Sequence, residues 1–172
     1  ARIQSEEIGK TQMSRTHKLQ VITPSDRELC LTRVFEAPRH LVFAALSKPE
    51  LVRRWLGGLP GWSMTVCEID FRVGGRYRYV WKHENGSEMG MGGEYLEITP
   101  PERIVNSERF DQAWYDGSAE VTIVLTEAEG RTTLVETVRY DSREIRDQVL
   151  KTPMEQGVAV SFDHLEDLVT AG

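Results

Sequence analysis

The chain has 172 residues, 40% of them hydrophobic and 28% charged, which is enough for one globular domain with a sizeable core. Its formal net charge of -6 argues against general binding to nucleic acid or anionic membranes, because such binding depends on basic residues that neutralise phosphates. No apolar run approaches the roughly 20 residues of a membrane helix, and no signal peptide is visible. We therefore expect a cytoplasmic protein without membrane insertion.

The N-terminal residues differ in character from the remainder. Residues 1–25 are polar and show no clear hydrophobic period, which predicts a flexible arm. Residues 26–172 are predicted to form a single domain. The segment DRELCLTRVFEA, residues 26–37, is rich in apolar and β-branched residues and predicts the first strand. Pro38 then stands where a helix can begin, because its missing N–H costs nothing in the first turn.

A second short helix is predicted from the sequence PELVRRWLGG. Ser47 and Glu50 have the spacing of a capping box before it. Trp55 falls on its apolar face, whereas Arg53 and Arg54 fall on the opposite face. Trp55 is therefore either an ordinary core residue or a residue that helps to close a pocket.

The hydrophobic period then changes from that of a helix to that of a strand. Asn85–Gly86 and similar turn sequences separate the segments, and their short lengths indicate antiparallel neighbours. The six predicted strands are residues 62–71, 75–84, 88–98, 103–110, 118–127 and 132–140.

Helical periodicity returns near the C-terminus. Ser142 is predicted to cap a short helix, and Thr152 to cap a long one that begins with Pro153 and Glu155. One face of the long helix carries an apolar stripe: Met154, Val158, Phe162, Leu165 and Val169. This order predicts an α+β domain in which the long helix covers one curved antiparallel sheet, with a space for a ligand between them.

Several segments together resemble a known family. They are TRVFEAPRHLVFAAL, WLGG, VCEIDFRVGGRYRY, GGEYLEITPPERIVNSERF and the C-terminal helix, spanning Leu29 to Leu168. The chain is similar to the activator of heat-shock-protein-90 ATPase homologue-like family, in the START-like (SRPBCC) superfamily. The resemblance implies the helix-grip fold: about seven strands around a long C-terminal helix, two short helices after the first strand, and a hydrophobic cavity. It does not imply one reaction, because the superfamily includes lipid carriers, hormone receptors, polyketide cyclases and co-chaperones.

The segment RYRYVWK has the pattern most suggestive of a binding site. Tyr77, Tyr79 and Trp81 alternate onto one face of a strand, and basic residues occupy the other face. These aromatic residues form either an ordinary core or part of a cavity wall. Gly90, Gly92 and Gly93 fit extra room at that wall or, equally, mark bulges. The predicted ligand-binding set is Trp55, Phe71, Tyr77, Tyr79, Trp81, Met91, Phe110, Trp114, Glu136 and Phe162.

Glu136 is an acid on a strand whose same-face neighbours, Leu134 and Val138, are apolar. If that face points inward, Glu136 is a polar anchor or general base in the pocket. In the alternative, the face of Thr133, Val135 and Thr137 is inward and Glu136 faces water.

These observations favour binding of a small apolar or aromatic molecule. One alternative is a cyclase- or hydrolase-like enzyme whose catalytic residues are unknown and which needs a buried acid of raised pKa such as Glu136. Another is a chaperone-ATPase-activating module, with a chaperone as partner. We expect no nucleic-acid partner and no cofactor. We also expect no bound metal, because Cys30, Cys67 and the histidines show no metal-ligand spacing. A homodimer is left open.

Overall fold

The computed structural model describes residues 17–57, 59–112, 115 and 117–171. In this part of the chain, four helices accompany eight strands. The helices are α1 (Arg39–Ser47), α2 (Pro49–Leu56), α3 (Arg143–Leu150) and α4 (Met154–Thr170). The strands are β1 (Gln20–Ile22), β2 (Glu28–Phe35), β3 (Trp62–Ile69), β4 (Arg76–His83), β5 (Glu88–Thr99), β6 (Arg103–Phe110), β7 (Ala119–Ala128) and β8 (Arg131–Arg139).

All eight strands belong to one antiparallel sheet in the order β1-β2-β8-β7-β6-β5-β4-β3. Strands β3 to β8 form the meander that the turn sequences predict. In the turn between β4 and β5, Gly86 has a φ of 91°, a conformation that glycine adopts without steric cost. Strand β2 instead pairs with β8, which brings the first predicted strand beside the last. The predicted α+β helix-grip architecture is confirmed.

Strand β1 was not predicted by the sequence pattern. Val21 lies opposite Leu31 of β2, so Gln20–Ile22 extends the sheet by an edge strand inside the segment assigned to the arm. Three residues are too few to show a strand period. Residues 20–22 form a strand because they pair with β2. Residues 1–16 of the predicted arm lie outside the described residues.

Two of the three predicted helix caps differ from the structure. Ser142 does cap α3, because its hydroxyl accepts a hydrogen bond from the Ile145 N–H at 3.2 Å. Ser47 instead donates to the Phe43 carbonyl within α1, and Lys48 occupies the N-cap position of α2. Thr152 donates to the Val149 carbonyl at 2.6 Å and leaves Pro153 as the N-cap of α4. In both cases a nearby carbonyl competes for the hydroxyl.

Helix α4 covers the concave face of the sheet over two apolar clusters. The main cluster includes Phe35, Leu134, Phe162 and Leu165, and α1 and α2 close its side. The second cluster contains five buried residues, Leu29, Ala119, Val121, Val138 and Tyr140, and residues of α3 and the start of α4 pack on it. The interval between the two clusters contains the candidate site.

Candidate functional site

Glu136 lies on the concave face of β8, between one residue of each cluster. Leu134 precedes it in the main cluster and Val138 follows it in the second cluster, and both are buried. The strand register places Glu136 opposite Leu31 of β2 and Ile123 of β7, so it occupies the middle of the sheet. Two orientations were considered for Glu136, and the structure has the inward one.

Glu108 of β6 is a second carboxyl on the same concave face, where it lies opposite Ala119 of β7. Burial raises the pKa of Glu108 to about 7. Burial also raises the pKa of Glu136 to about 8, and the neighbouring charge of Glu108 adds to that shift. Both side chains nevertheless keep part of their surface accessible. Deep placement combined with accessible surface is what a residue bordering an internal space shows.

Three other polar side chains lie on or beside the same concave face. Asn106 donates a 3.1 Å hydrogen bond to the Tyr77 hydroxyl, which in turn donates to the Ser107 carbonyl at 2.8 Å. Burial raises the pKa of Tyr140, and Glu108 and Glu136 add to the shift, so its phenol lies near both carboxyl groups. Tyr140 is 5% exposed, and its hydroxyl makes no hydrogen bond within the described residues.

The two carboxyl groups are also unpartnered. Among the residues that the structure describes, neither Glu108 nor Glu136 forms a hydrogen bond or an ion pair. An ionised carboxylate without a partner is costly in an apolar interior, which is why both groups hold their protons more tightly than usual. The polar atoms around Glu136 can thus accept a ligand without breaking an existing side-chain contact of either carboxyl.

Helix α4 has a gap above this region. Gly157 lies on the sheet-facing stripe of α4, one turn before Ser161 and two turns before Leu165. Ser161 and Leu165 are both buried. Its neighbours Met154 and Val158 pack on the second and main clusters respectively, so Gly157 faces the same interval as Glu136. A methyl group at Gly157 would have no atom within 4 Å. Helix and sheet are therefore not in close contact here.

A separate charged cluster fixes α4 to the sheet. Arg33 of β2 is only 2% exposed and donates a 2.9 Å hydrogen bond to Asp163 of α4. Its Nε and Nη2 atoms are buried and have no hydrogen-bond partner in the described part of the chain, and the same holds for Oε2 of Glu166. Burial raises the pKa of Glu166, and the Arg33 charge offsets part of that shift. Arg33 is not among the causes of the raised pKa values of Glu108 and Glu136. It belongs to the attachment of α4 and does not neutralise the two interior carboxyl groups.

The structure divides the predicted aromatic set between core and accessible positions. Five members are packed in the main cluster at 5–8% exposure: Trp55, Tyr77, Tyr79, Trp81 and Phe162. Phe71, Met91 and Phe110 keep accessible surface, and the register places Met91 between Tyr79 and Phe110 on the concave face. Trp114 lies outside the described residues. The assignment of the set to ligand binding stays a prediction.

The glycines of β5 do not provide room at the cavity wall. A β-carbon at Gly93 would collide with the Ser107 carbonyl, and one at Gly92 would contact the Tyr77 carbonyl at 2.6 Å. A β-carbon at Gly90 would collide with the Asp111 carboxylate, which pairs with Arg78. These glycines allow close approach of neighbouring groups.

Helix α2 packs against the main cluster on one side and forms surface on the other. The Trp55 indole donates to the Ala45 carbonyl at 2.8 Å, and its ring lies 6.2 Å from that of Phe162. Arg53 donates to the Met64 carbonyl at 3.1 Å. Arg54 lines a surface pocket between α2 and α4, opposite His164 and Asp167. The two arginines lie on the face away from Trp55, as the helical spacing predicted.

Sequence analysis missed Glu108, Asn106, Arg33 and Tyr140. A signal for the first two was present in RIVNSERF, where Ile104, Asn106, Glu108 and Phe110 alternate onto one face. Because Ile104 and Phe110 are apolar, the polar residues between them were candidates for inward positions. Arg33 carried the same signal, because it shares a strand face with the apolar residues Leu31 and Phe35.

The family assignment follows from comparison with known proteins. The profile of the family described as Activator of Hsp90 ATPase homolog 1-like protein matches residues 36–170. The chain belongs to this family. The matched range runs from the end of β2 to the end of α4 and includes every described residue of the candidate site except Arg33.

Solved structures with the same architecture come from several bacteria. A protein from Rhodobacter sphaeroides is 32% identical, with a TM-score of 0.84 over 90% of this chain and 99% of that one. A protein from Chromobacterium violaceum is 30% identical, with a TM-score of 0.69 over 83% of this chain and 96% of that one. A protein from Mycobacterium smegmatis, 23% identical with a TM-score of 0.77 over 89% and 97%, shares the fold. No curated protein sequence matched.

Three further features of the described residues bear on function. No group of three or more His, Cys, Asp or Glu side chains in this part of the chain is placed to hold a metal ion. None of the described helices is long and apolar enough to cross a membrane. Cys30 and Cys67 are both buried and unbridged.

Proposed function

We propose that this protein binds a small amphipathic molecule in the space between the concave sheet face and α4. The observation that carries the proposal is the pair Glu108 and Glu136. Both lie deep on the sheet, have no hydrogen-bond or ion-pair partner among the described residues and keep accessible surface. Accessible polar groups inside an apolar wall are typical of a ligand pocket, where a few polar groups fix the orientation of a mainly apolar ligand.

The walls of this space suit a ligand with an apolar or aromatic body. Met91, Phe110 and Ile123 are partly accessible on the concave face, and Val158 is partly accessible on α4. They surround the polar interval from two sides. The opening above Gly157 leaves a region of the helix surface uncovered, which a ligand body can fill.

The binding proposal is tested with a panel of fatty acids, flavonoids and sterols. A bound member should saturably change tryptophan fluorescence and raise the melting temperature, because a ligand that binds only the folded state stabilises it. Gly157→Phe should abolish both signals by filling the space, whereas Gly157→Ala should keep them. Glu136→Gln should weaken binding of the same compound without filling the space.

The outcome that contradicts the proposal is equally specific. If no compound gives either signal, or if Gly157→Phe binds as tightly as the wild type while folding cooperatively, the ligand does not occupy this space. The Arg54→Ala variant is the matched surface control, since Arg54 lines the outer pocket between α2 and α4. It should bind like the wild type.

General acid–base catalysis in the same space is a second candidate function. The pKa values of about 7 for Glu108 and about 8 for Glu136 are those that suit proton transfer near neutral pH. Product formation from a bound compound, lost in Glu136→Gln with binding retained, would favour catalysis over carriage. Unchanged recovery of every bound compound favours binding alone.

A further inference from the structure

The Asn85–Gly86 pair lies in the exposed turn between β4 and β5. Asparagine is one of the thermolabile residues of proteins. We propose that Asn85 is a modification site, where the folded protein loses the side-chain amide and forms aspartate or isoaspartate. This inference does not depend on ligand binding. It stands on the geometry of the turn and on the contrast with Asn106.

The reaction is an attack of the chain on its own side chain. The Gly86 nitrogen gives its proton to a hydroxide ion and attacks the carbonyl carbon of the Asn85 side chain. A bond forms between these atoms, the bond to the amide nitrogen breaks, and ammonia leaves with a proton taken from water. Water then opens the cyclic imide at either of its carbonyl carbons, which gives aspartate or isoaspartate. The net change consumes water and releases ammonia, without oxidation or reduction.

The first argument is the open access to the reacting atoms. Residues 84–88 are all exposed, so hydroxide and water reach the turn from solvent. A β-carbon at Gly86 would meet no atom within 4 Å, and the real residue has no β-carbon to shield its nitrogen. The attacking nitrogen and the side-chain carbon of Asn85 are therefore free of steric hindrance from the surrounding protein.

The second argument is that the contacts restraining the pair are local to the turn. The Gly86 N–H donates to the His83 carbonyl at 2.9 Å, and Oδ1 of Asn85 accepts from the Ser87 N–H at 2.9 Å. The Asn85 N–H donates to Nδ1 of His83 at 3.1 Å. The attack requires the first two bonds to break. Opening of an exposed turn costs far less free energy than unfolding of the domain, so the reaction proceeds from the folded protein.

The third argument is that Asn106, the other asparagine of the chain, has the opposite surroundings. Asn106 lies within β6, between β5 and β7, and is 8% exposed. Its side chain donates to the Tyr77 hydroxyl and to the Ser107 carbonyl, both at 3.1 Å. Attack on this side chain requires separation of strands in the middle of the sheet. We therefore expect loss of the amide at Asn85 and not at Asn106 while the protein is folded.

The two products should affect the protein differently. Aspartate keeps the length of the backbone and adds a negative charge at an exposed position. Isoaspartate inserts an extra carbon into the backbone beside His83, whose N–H donates to the Ser87 carbonyl at 2.8 Å and whose ring lies 4.9 Å from that of Trp62. Isoaspartate should therefore lower the melting temperature by about 2–4 °C, the shift expected for about 1 kcal/mol in a domain of this size. The Asn85→Asp variant should melt like the wild type.

Peptide mass spectrometry tests the inference on the full-length protein. After incubation at 37 °C and pH 8, trypsin releases peptides 83–103 and 104–109, which contain Asn85 and Asn106 respectively as their single asparagine. A sample digested without incubation gives the background. Replacement of the amide by a carboxyl group should be faster at Asn85 by about tenfold or more. Chromatography should resolve an isoaspartate and an aspartate form of peptide 83–103.

Matched glycine variants assign the reaction to the Gly86 nitrogen. Gly86→Ala shields this nitrogen with a side chain and should slow the conversion of Asn85 by about tenfold or more. Gly130→Ala is the control, because Gly130 has a φ of 75° in the turn between β7 and β8 and likewise has no atom within 4 Å of an added β-carbon. It introduces the same kind of backbone strain elsewhere and should leave the rate unchanged.

Urea separates local opening from unfolding. Below the unfolding transition, the rate at Asn85 should stay constant, whereas Asn106 should begin to react only within the transition. A rate at Asn85 that rises with the unfolded fraction would overturn the inference, as would equal rates at the two asparagines in the folded protein. An unchanged rate in Gly86→Ala, or aspartate without any isoaspartate, would rule out the attack by the Gly86 nitrogen. None of these outcomes depends on the proposed ligand binding.

Discussion

Arg33 of β2 donates a 2.9 Å hydrogen bond to Asp163 of α4, which makes a direct polar link between the sheet and the long helix. Arg33 is 2% exposed, whereas the side chain of Asp163 is 21% exposed. The Arg33 guanidinium also lies 5.5 Å from the centre of the Phe35 ring. The charge of Arg33 is therefore held inside the protein mainly by groups on α4.

This arrangement predicts unequal costs for removing the two partners. Asp163→Ala should reduce the free energy of unfolding by about 3–5 kcal/mol, because it leaves a buried charge without its partner. Arg33→Met should cost less, because it replaces the buried cation with an apolar side chain of similar length. Urea unfolding measures both values, and an equal or larger cost for Arg33→Met would contradict the expectation.

Glu136 should make the stability of the protein depend on pH. Its pKa is raised to about 8 in the folded state, so the folded state binds more protons than the unfolded state between about pH 4.5 and pH 8. The free energy of unfolding should accordingly fall as pH rises through this window. Glu136→Gln removes the carboxyl and should be more stable than the wild type at pH 9, by up to about 5 kcal/mol for a shift of this size.

The advantage of Glu136→Gln should shrink towards zero near pH 4.5, where the wild-type carboxyl is protonated in both states. Thermal and urea unfolding at pH 5, 7 and 9 give the comparison. The exposed Glu120→Gln should show no such trend. A constant difference across the three pH values would mean that Glu136 titrates as an ordinary surface carboxyl.

Phe162 is predicted to be a major packing residue of α4. Its ring is 5% exposed and contacts Phe35 at 5.8 Å and Trp55 at 6.2 Å between ring centres. Phe162→Ala should cost about 3–5 kcal/mol, as truncation of a packed aromatic does. Val160→Ala, at an exposed position of the same helix, should cost less than about 0.5 kcal/mol. Similar costs for both would show that α4 is not anchored through this stripe.

Gly157 and Gly93 should respond in opposite ways to the same substitution. Gly157→Ala adds a methyl group where no atom lies within 4 Å and removes a glycine from a helix, so it should stabilise by about 0.5–1 kcal/mol. Gly93→Ala brings the same methyl group against the Ser107 carbonyl and should destabilise by about 1–3 kcal/mol. Denaturant midpoints decide the signs. Destabilisation by Gly157→Ala would indicate that the space above the sheet is closed.

Most of the fold could be predicted from the sequence, because each strand of the meander has a clear hydrophobic period. The predicted range 103–110 coincides with β6, and the other strand ends differ by at most two residues. In RYRYVWK, the buried positions are Tyr77, Tyr79 and Trp81, as alternation predicted. Prediction from the sequence failed where the structure depends on partners elsewhere in the chain. Residues 20–22 form β1 only because they pair with β2. Ser47 and Thr152 donate hydrogen bonds to carbonyls of the preceding helix and do not cap the next one.

The candidate site was only partly accessible to the same reasoning. Glu136 was recognised as unusual, yet its orientation depends on the pairing of β8 with both β2 and β7, which no pattern within β8 determines. Glu108 shares the concave face with Glu136 because β7 pairs with both β6 and β8. The position of Gly157 over the polar interval depends on how α4 packs on the sheet, which the helical period of α4 alone does not determine.

The pairing of β2 with β8 has a consequence for synthesis of the chain. Strands β3 to β7 all lie between these two partners in sequence, so the sheet cannot close until β8 has been made. Until α4 follows, the main cluster lacks Phe162 and Leu165, the residues by which the long helix covers it. Contacts between segments so distant in sequence slow folding and prolong the lifetime of aggregation-prone intermediates. A nascent chain that stops before α4 should therefore aggregate or be captured by holdase chaperones.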